Sequence, residues 1–505
     1  MVTVLFAEVK SLSISSDIEK QADQPLAIRP GLAAQKQAMP LRVNSSEIIG
    51  KLPQPRAVAT HPGVGRHPGT EWLACLFHPW STPKASCTRC FPLAQAETMS
   101  PENQAIAGQV SATKSVSWLD QEWPWWPLLP LYPYGQRRTL VRELIPNQIW
   151  SFEQLQGLYY VAVPVRLTVV KVPDGLMLFN PLPPTPELRR ALADLEATHG
   201  NVVTIVLPTA SGLEHKLSLP AMARAFPQAE VWVCPGQWSF PISLPSSWLG
   251  IPARRTKVLQ EDGFPHPDSC TWLPLGPLDL GLGRFEEVAC FHRASGAVLV
   301  TDALVGIEAE PPALFDLDPT PLLFHARDRG DQPLEDSPQA RRRGWARVVL
   351  FATYLKPGPL VIPPLLEVLR NAFRPGTLSP KAHFGLFPFA WQPGWEAAAQ
   401  ERLGKNGPLL QVAPVLERLV FPRAKDVLLE WLDEMRRLKG MRWLVSAHFS
   451  DIVAFKPHQV RDLSESISRR PWASNEASWS FLGSVDQRLL SLGVVPKDPQ
   501  AAFRD

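Results

Sequence analysis

Apolar and polar positions alternate without a sustained period over residues 1–98, and a clear pattern starts only at Tyr159. Val161–Lys171 is rich in β-branched residues and predicts a strand. Pro173-Asp174-Gly175 predicts a turn and Leu176–Phe179 the return strand of a hairpin. Thr185–Thr198 then predicts a helix, with Thr185 as N-cap, Pro186 in the first position and Gly200 past the end. The unbroken apolar run Val202–Leu207 predicts a buried strand, Leu217–Phe226 a short helix, and Glu230–Cys234 another strand. After a Pro-rich loop, Thr271–Leu275, Phe285–Phe291 and Ala297–Thr301 predict a second set of strands. Hairpin, β-α-β alternation and a second set of strands together define an α/β sandwich.

Beyond this core the pattern turns helical. Ser337–Leu355 places Trp345, Val348, Val349, Ala352 and Leu355 on one face, with Arg341, Arg342, Arg343 and Arg347 near its start. Pro357–Arg374 continues as a Pro-interrupted helical stretch, Lys425–Leu438 predicts a charged helix, and Arg442–Ala447 predicts a last strand running into His448. The organisation expected is an extension or over-long start (1–98), a Trp/Pro-rich arm (99–150) and the first part of the sandwich (151–310). A helix-rich insertion (311–439), a final core strand (440–460) and a C-terminal tail (461–505) follow. Met99-Ser100-Pro101-Glu102 reads as an alternative translation start, and an organelle transit segment is the other reading of what precedes it. In the arm, Trp118, Trp123, Trp125 and Trp126 crowd against prolines, which forbids helix. Their indoles either cover a core or anchor the chain at a membrane surface.

Composition changes this picture little. Of 505 residues, 45% are hydrophobic and 20% charged, as in ordinary globular chains. A net charge of +3 gives no reason to expect nucleic acid as a partner. The 54 prolines, about twice the usual share, mean short elements and many fixed turns. Six cysteines in a chain this long do not make a disulfide framework, so a reducing, intracellular compartment is expected. Cys87-Thr88-Arg89-Cys90, with Cys75, His67 and His78 nearby, is a single CxxC with no second spaced pair, a weak zinc signal.

Candidate chemistry concentrates in three stretches. The segment 203–233 contains TASGLEHK after a buried strand, Ala297–Leu304 reads AVLVTDAL, and Trp443–His448 reads WLVSAH. In this order they resemble the metal-binding segments of the metallo-β-lactamase-like superfamily. There, HxHxDH follows a strand, a later strand delivers a bridging aspartate, and the last strand delivers a final histidine. The resemblance implies an αββα sandwich, here with a helical Pro-rich insertion. Aligned on its final histidine, HxHxDH falls on Ala210, Gly212, Glu214 and His215, so two imidazoles are replaced by side chains that cannot bind a metal. Asn180 stands where the family has aspartate, and Leu273–Leu278 has no histidine where the family places another. The departures thus fall on the first metal site, while Glu214, His215, Asp302 and His448 match the second. More narrowly, Pro235-Gly236-Gln237-Trp238-Ser239-Phe240-Pro241 with TASGLEHK resembles an uncharacterised cyanobacterial and chloroplast family, domain of unknown function 4336. That likeness covers about Trp118 to Pro496 and implies a photosynthetic source, but no reaction.

Three functional readings follow. The lost ligands favour a sandwich kept as a binding or scaffold protein, with no metal. The retained Glu214, His215, Asp302 and His448 favour a hydrolase with one Zn²⁺, Fe²⁺ or Mn²⁺. The tryptophans at 118–126 and the basic 337–355 helix favour a peripheral protein at a thylakoid or plasma membrane. His292 is expected to face a neighbouring strand, and His266, His325 and His383 to lie on the surface or in loops rather than to bind metal.

Overall fold

The computed structural model describes residues 131–133, 137–237, 245–279, 284–354 and 357–470, with the single positions 487 and 491. The CxxC, Met99 and the four arm tryptophans lie outside the described residues.

A first group of strands comprises β1 (Leu131–Tyr132), β2 (Leu140–Ile145), β3 (Ile149–Leu158), β4 (Val161–Val172) and β5 (Gly175–Phe179). Helix α1 (Pro186–His199), β6 (Val202–Leu207), α2 (Leu213–Lys216), α3 (Leu219–Ala225), β7 (Glu230–Val233) and β8 (Thr256–Val258) follow. They build an eight-stranded sheet in the order β1-β3-β4-β5-β6-β7-β8, with β2 on β3. The second sheet has the order β17-β16-β11-β10-β9, from β9 (Cys270–Asp279), β10 (Arg284–His292), β11 (Ala297–Val300), β16 (Trp443–Ser446) and β17 (Val453–Ala454).

Strict alternation puts the two sheets face to face. Met177 and Phe179 of β5 and Val206 of β6 meet Val288, Cys290 and Leu299 of the smaller sheet in one inter-sheet core. The intervening residues point outward. Leu176, Leu178 and Ile205 pack under Leu188 and Leu192 of α1 and Met222 of α3. On the far side, Val298, Val300 and Leu444 pack under α10 (Lys425–Arg436) and α11 (Pro457–Arg469). The result is the expected αββα sandwich.

Between the two parts of the smaller sheet lie β12 (Leu304–Ile307), α4 (Leu314–Leu317), α5 (Thr320–Ala326), α6 (Pro338–Tyr354) and β13 (Leu360–Val361). The region continues through α7 (Leu365–Asn371), β14 (Ala390–Trp391), α8 (Trp395–Gln400), β15 (Leu409–Val412) and α9 (Pro414–Leu419). Trp345, Val348 and Val349 of α6 pack with Phe324 on Leu155 and Tyr160, so this apolar face is covered by the protein's own core. The α6 arginines are paired: Arg341 with Asp316 and Asp336, Arg342 with Glu310, and Arg343 with Asp328.

Local chemistry explains both agreement and departure. Thr185 Oγ1 accepts from the Leu188 amide at 3.2 Å, and Gly200 (φ 93°) ends α1. The helix expected over Leu217–Phe226 is Leu219–Ala225, opened by Pro220 in its first turn, and a separate one-turn helix, Leu213–Lys216, precedes it. The stretch 357–374 is helical only over α7, since Pro363 and Pro364 halt it until Leu365. Two histidines expected on the surface or in loops are buried. His325, in α5, is fully enclosed among the rings of Phe324, Phe351 and Phe389, and His383 packs against Tyr159. A neutral imidazole is flat and apolar enough to complete an aromatic cluster. His266 does lie in a loop, bonded to Thr204 Oγ1 at 2.8 Å, and His292 closes β10 against Ser295 Oγ at 2.9 Å.

Candidate metal centre

Parallel register brings the site together. β11 and β16 pair with Val300 opposite Ser446, so Asp302 and His448 emerge two residues beyond the same rung. Loops at the carboxyl ends of adjacent parallel strands are where α/β sheets place ligand sites. From the other sheet, β6 ends at Leu207 and its extension crosses to β10: Ala210 donates to Glu286 O at 2.9 Å and Val288 to Pro208 O at 2.7 Å. That crossing delivers α2, one turn of helix carrying Glu214 and His215.

All four residues singled out in the sequence meet there. His448 Nε2 lies 3.2 Å from Glu214 Oε1 and 3.1 Å from Asp302 Oδ1. The His215 and His448 rings are 6.0 Å apart. Glu214, His215 and His448 each offer a ligand atom within 4.8 Å of the others. Burial opposes charge on Glu214 and His448, yet their hydrogen bond and mutual attraction outweigh it. The Glu214 carboxyl is therefore held well below the usual carboxylate range. His448, bonded to Asp302 and Glu214, is pushed up to about 10. His215 is lowered instead, because its complete burial outweighs the pull of Glu214.

The second nitrogens of both rings face main-chain oxygens. His215 Nδ1 is 3.2 Å from Pro181 O, and His448 Nδ1 is 3.3 Å from Pro164 O. Such contacts set ring orientation and leave Nε2 as the free ligand atom in metal sites. His215 Nε2 is buried with no hydrogen-bond partner. Glu214, His215 and His448 are thus a potential metal-ligating group of a type divalent ions accept, with Asp302 bonded to His448 at its edge.

The positions that lack ligands are filled by other chemistry. Ala210 belongs to the inter-sheet core. Gly212 sits where a Cβ would stand 2.7 Å from Thr209 Cγ2. Thr209 Oγ1 meanwhile accepts from the amides of Ser211 and Gly212, at 3.2 and 3.4 Å. Asn180, buried at φ 64°, accepts from Thr301 Oγ1 at 3.0 Å, one residue from Asp302.

Sequence reasoning missed the supports. Glu287, fully buried, accepts from the amides of Thr301, Asp302 and Ala303 at 2.6, 2.9 and 2.9 Å, fixing the turn that presents Asp302. Burial and the nearby Asp302 raise its carboxyl to about 7, against those three amides. The signal was an acidic pair, Glu286-Glu287, inside an apolar strand. Arg166, fully buried in β4, donates to the carbonyls of Ser446, Phe449 and Ser450 around His448. Lys216 Nζ ties the loop by donating to Ala210 O at 2.6 Å and Gln237 O at 2.9 Å.

Glu214, Asp302 and His448 open into a cavity of about 360 Å³. Its other walls are largely apolar, with Leu158, Val161 and Val163 from the larger sheet and Phe351, Ala352 and Phe449 opposite. No helix among the described residues is long and apolar enough to cross a membrane.

A family profile described as "Domain of unknown function (DUF4336)" matches residues 146–465. No curated protein matches the chain. Among solved structures, the chain is similar to the flavodiiron core of Flv1 from Synechocystis sp., at 10% identity and TM-score 0.32 over 66% of this chain and 61% of that one. It is also similar to a flavo di-iron protein variant from Thermotoga maritima, at 11% identity and TM-score 0.34 over 66% and 62%. A third is a metallo-β-lactamase from Erythrobacter litoralis, at 11% identity and TM-score 0.28 over 66% and 99%. The chain thus spans about three fifths of the length of the flavodiiron structures it matches.

Proposed function

The chain belongs to the family described as a domain of unknown function (DUF4336), and from that premise we propose that it carries a one-metal centre serving a small ligand with an apolar body. One observation carries the reading: His215 Nε2 is buried without a partner while its Nδ1 faces Pro181 O. A desolvated, unpaired nitrogen costs about 1–3 kcal/mol, which a metal ion at this position would offset. Glu214, His215, Asp302 and His448 would hold one divalent ion. When bound, it supplies Lewis acidity toward a carbonyl or phosphoryl oxygen, which suits an ester, thioester or phosphoester. The chain's own part is to exclude water with the apolar cavity walls and to orient the ligand's polar end toward Asp302 and Ser211, whose Oγ is 3.4 Å from Asp302 Oδ2.

A second reading, a metal-free binding scaffold, is favoured by the placement of His448 between Glu214 and Asp302, which satisfies three of the four groups without an ion. A photosynthetic source and a cytoplasmic or stromal location belong to the proposal under either reading, carried by the resemblance of TASGLEHK and its flanks.

Elemental analysis separates the two. The full chain, stripped with chelator and reloaded with Zn²⁺, Mn²⁺ or Fe²⁺, should retain about one equivalent of one of them. A Glu214→Ala/His448→Ala variant with an unchanged near-ultraviolet spectrum should retain none. No retained metal in the wild type ends the one-metal reading and leaves the scaffold.

A further inference from the structure

The segment from β13 to Lys381 breaks the ordinary rule for a surface helix. Val368 and Ala372 face the protein and are buried, as an inner stripe should be. The rest of the helix surface should be polar, yet Leu365, Leu366 and Leu369 around that stripe stay exposed, followed by Phe373. Leu365 and Leu366 are 70% and 78% exposed, and Phe373 and Leu378 each 59%. Val361 and Ile362 add to the same stretch, also exposed. Scattered exposed leucines need no explanation, but seven large apolar side chains within eighteen residues do.

The segment holds its shape by main-chain bonding. Phe373 N donates to Phe384 O at 2.8 Å, Thr377 N to Arg374 O at 3.1 Å, and Ala372 N to Leu369 O at 3.2 Å. Phe373 adopts φ 57°, a left-handed conformation uncommon for a bulky residue, while its ring stays exposed. The apolar side chains are thus presented by an ordered scaffold.

Charge decides the occupant. Between Leu360 and Lys381 the cations are Arg370, Arg374 and Lys381, and the only acid is Glu367. All three cations are exposed, and Arg374 spends its guanidinium on Arg370 O rather than on a carboxylate. Exposed leucine and phenylalanine bordered by arginine and lysine is the composition of a surface that inserts into the headgroup boundary of an anionic bilayer. A protein partner matched to these cations would have to bring carboxylates to the rim of an otherwise apolar face. A bilayer offers hydrocarbon and anionic phosphate in that spatial order.

We propose that the Val361–Lys381 surface docks the protein on an anionic lipid surface, with Leu365, Leu366, Leu369 and Phe373 entering the interface and Arg370, Arg374 and Lys381 contacting headgroup phosphates. The proposal draws neither on the arm tryptophans, which lie outside the described residues, nor on metal binding at Glu214 and His448.

The test is co-sedimentation of the full chain with vesicles of phosphatidylcholine alone and of phosphatidylcholine with 30% phosphatidylglycerol, at low and high salt. Binding should favour the anionic vesicles and weaken as salt rises. Leu366→Glu/Leu369→Glu should lower the partition coefficient at least tenfold at unchanged thermal midpoint, and Arg370→Glu/Arg374→Glu should remove the preference for anionic lipid. Both pairs are exposed, so loss of folding does not confound either. No sedimentation of the wild type overturns the proposal, as does equal sedimentation of wild type and both variants. A wild-type dimer that the leucine variant converts to monomer, without vesicle binding by either, also overturns it by assigning the face to a second copy of the chain.

Discussion

The Arg166 guanidinium donates to Ser450 O at 3.0 Å, so a buried charge on β4 of the larger sheet fixes the loop that carries His448 from the smaller one. The same group bonds Phe449 O at 3.2 Å, Asp451 at 2.9 Å and Glu153 at 3.1 Å, and both Arg166 and Glu153 are wholly buried. Removing one partner from such a pair strands the other in low dielectric. Arg166→Met is therefore expected to destabilise by about 3–5 kcal/mol and to weaken metal retention beyond the loss of fold. Arg461→Ala, which breaks only exposed pairs to Asp462 and Glu465, should cost less than about 1 kcal/mol. Urea titration gives the first quantity, and metal competition below the unfolding range gives the second. An Arg166→Met protein of wild-type stability would remove the positioning role.

Gly212 stands in a turn that leaves no room for a side chain. A Cβ there would meet Thr209 Cγ2 at 2.7 Å, and Thr209 cannot move freely because its hydroxyl holds the Ser211 and Gly212 amides. Gly212→Ala should cost about 1–3 kcal/mol as local overpacking. Thr209→Ser in the same chain removes the offending methyl, keeps the hydroxyl, and should recover most of the loss. Denaturation midpoints of the two single variants and the double measure the coupling directly. Additive effects would show that the clash does not govern this turn.

How much of this was legible depends on where apolar period and polar function coincide. β6 and α1 were readable because their patterns are uninterrupted and their caps are standard chemistry. β3 was not, although it pairs with β1, β2 and β4 in the larger sheet. Ser151, Glu153 and Gln154 are buried on its two faces, with Arg142 and Arg166 bonded to Glu153 and Thr139 to Gln154. A buried polar pair erases the period-2 signal, and its compensation lies far along the chain. The candidate ligands were visible because they ended or followed recognisable strands. Their supports, Glu287 and Arg166, were hidden inside strands, where a charged residue reads as a solvated face.

His325 gives the clearest test of burial through acidity. Burial, then the charges of Arg347 and Arg327, lower it to about 3. The unfolded chain therefore binds a proton below about pH 6.5 that the folded chain refuses until about pH 3. Stability contributed by the neutral ring is complete above pH 6.5 and is lost as pH falls through that window. At pH 5 the loss from this residue amounts to about 2 kcal/mol. His383 and His292, each lowered to about 4 chiefly by burial, add in the same direction. His325→Phe keeps a flat ring among Phe324, Phe351 and Phe389 and cannot be protonated. Between pH 8 and pH 5 the variant should lose about 2 kcal/mol less stability than the wild type in urea titrations. Equal losses in the two proteins would show that His325 is protonated, or exposed to water, in the folded state.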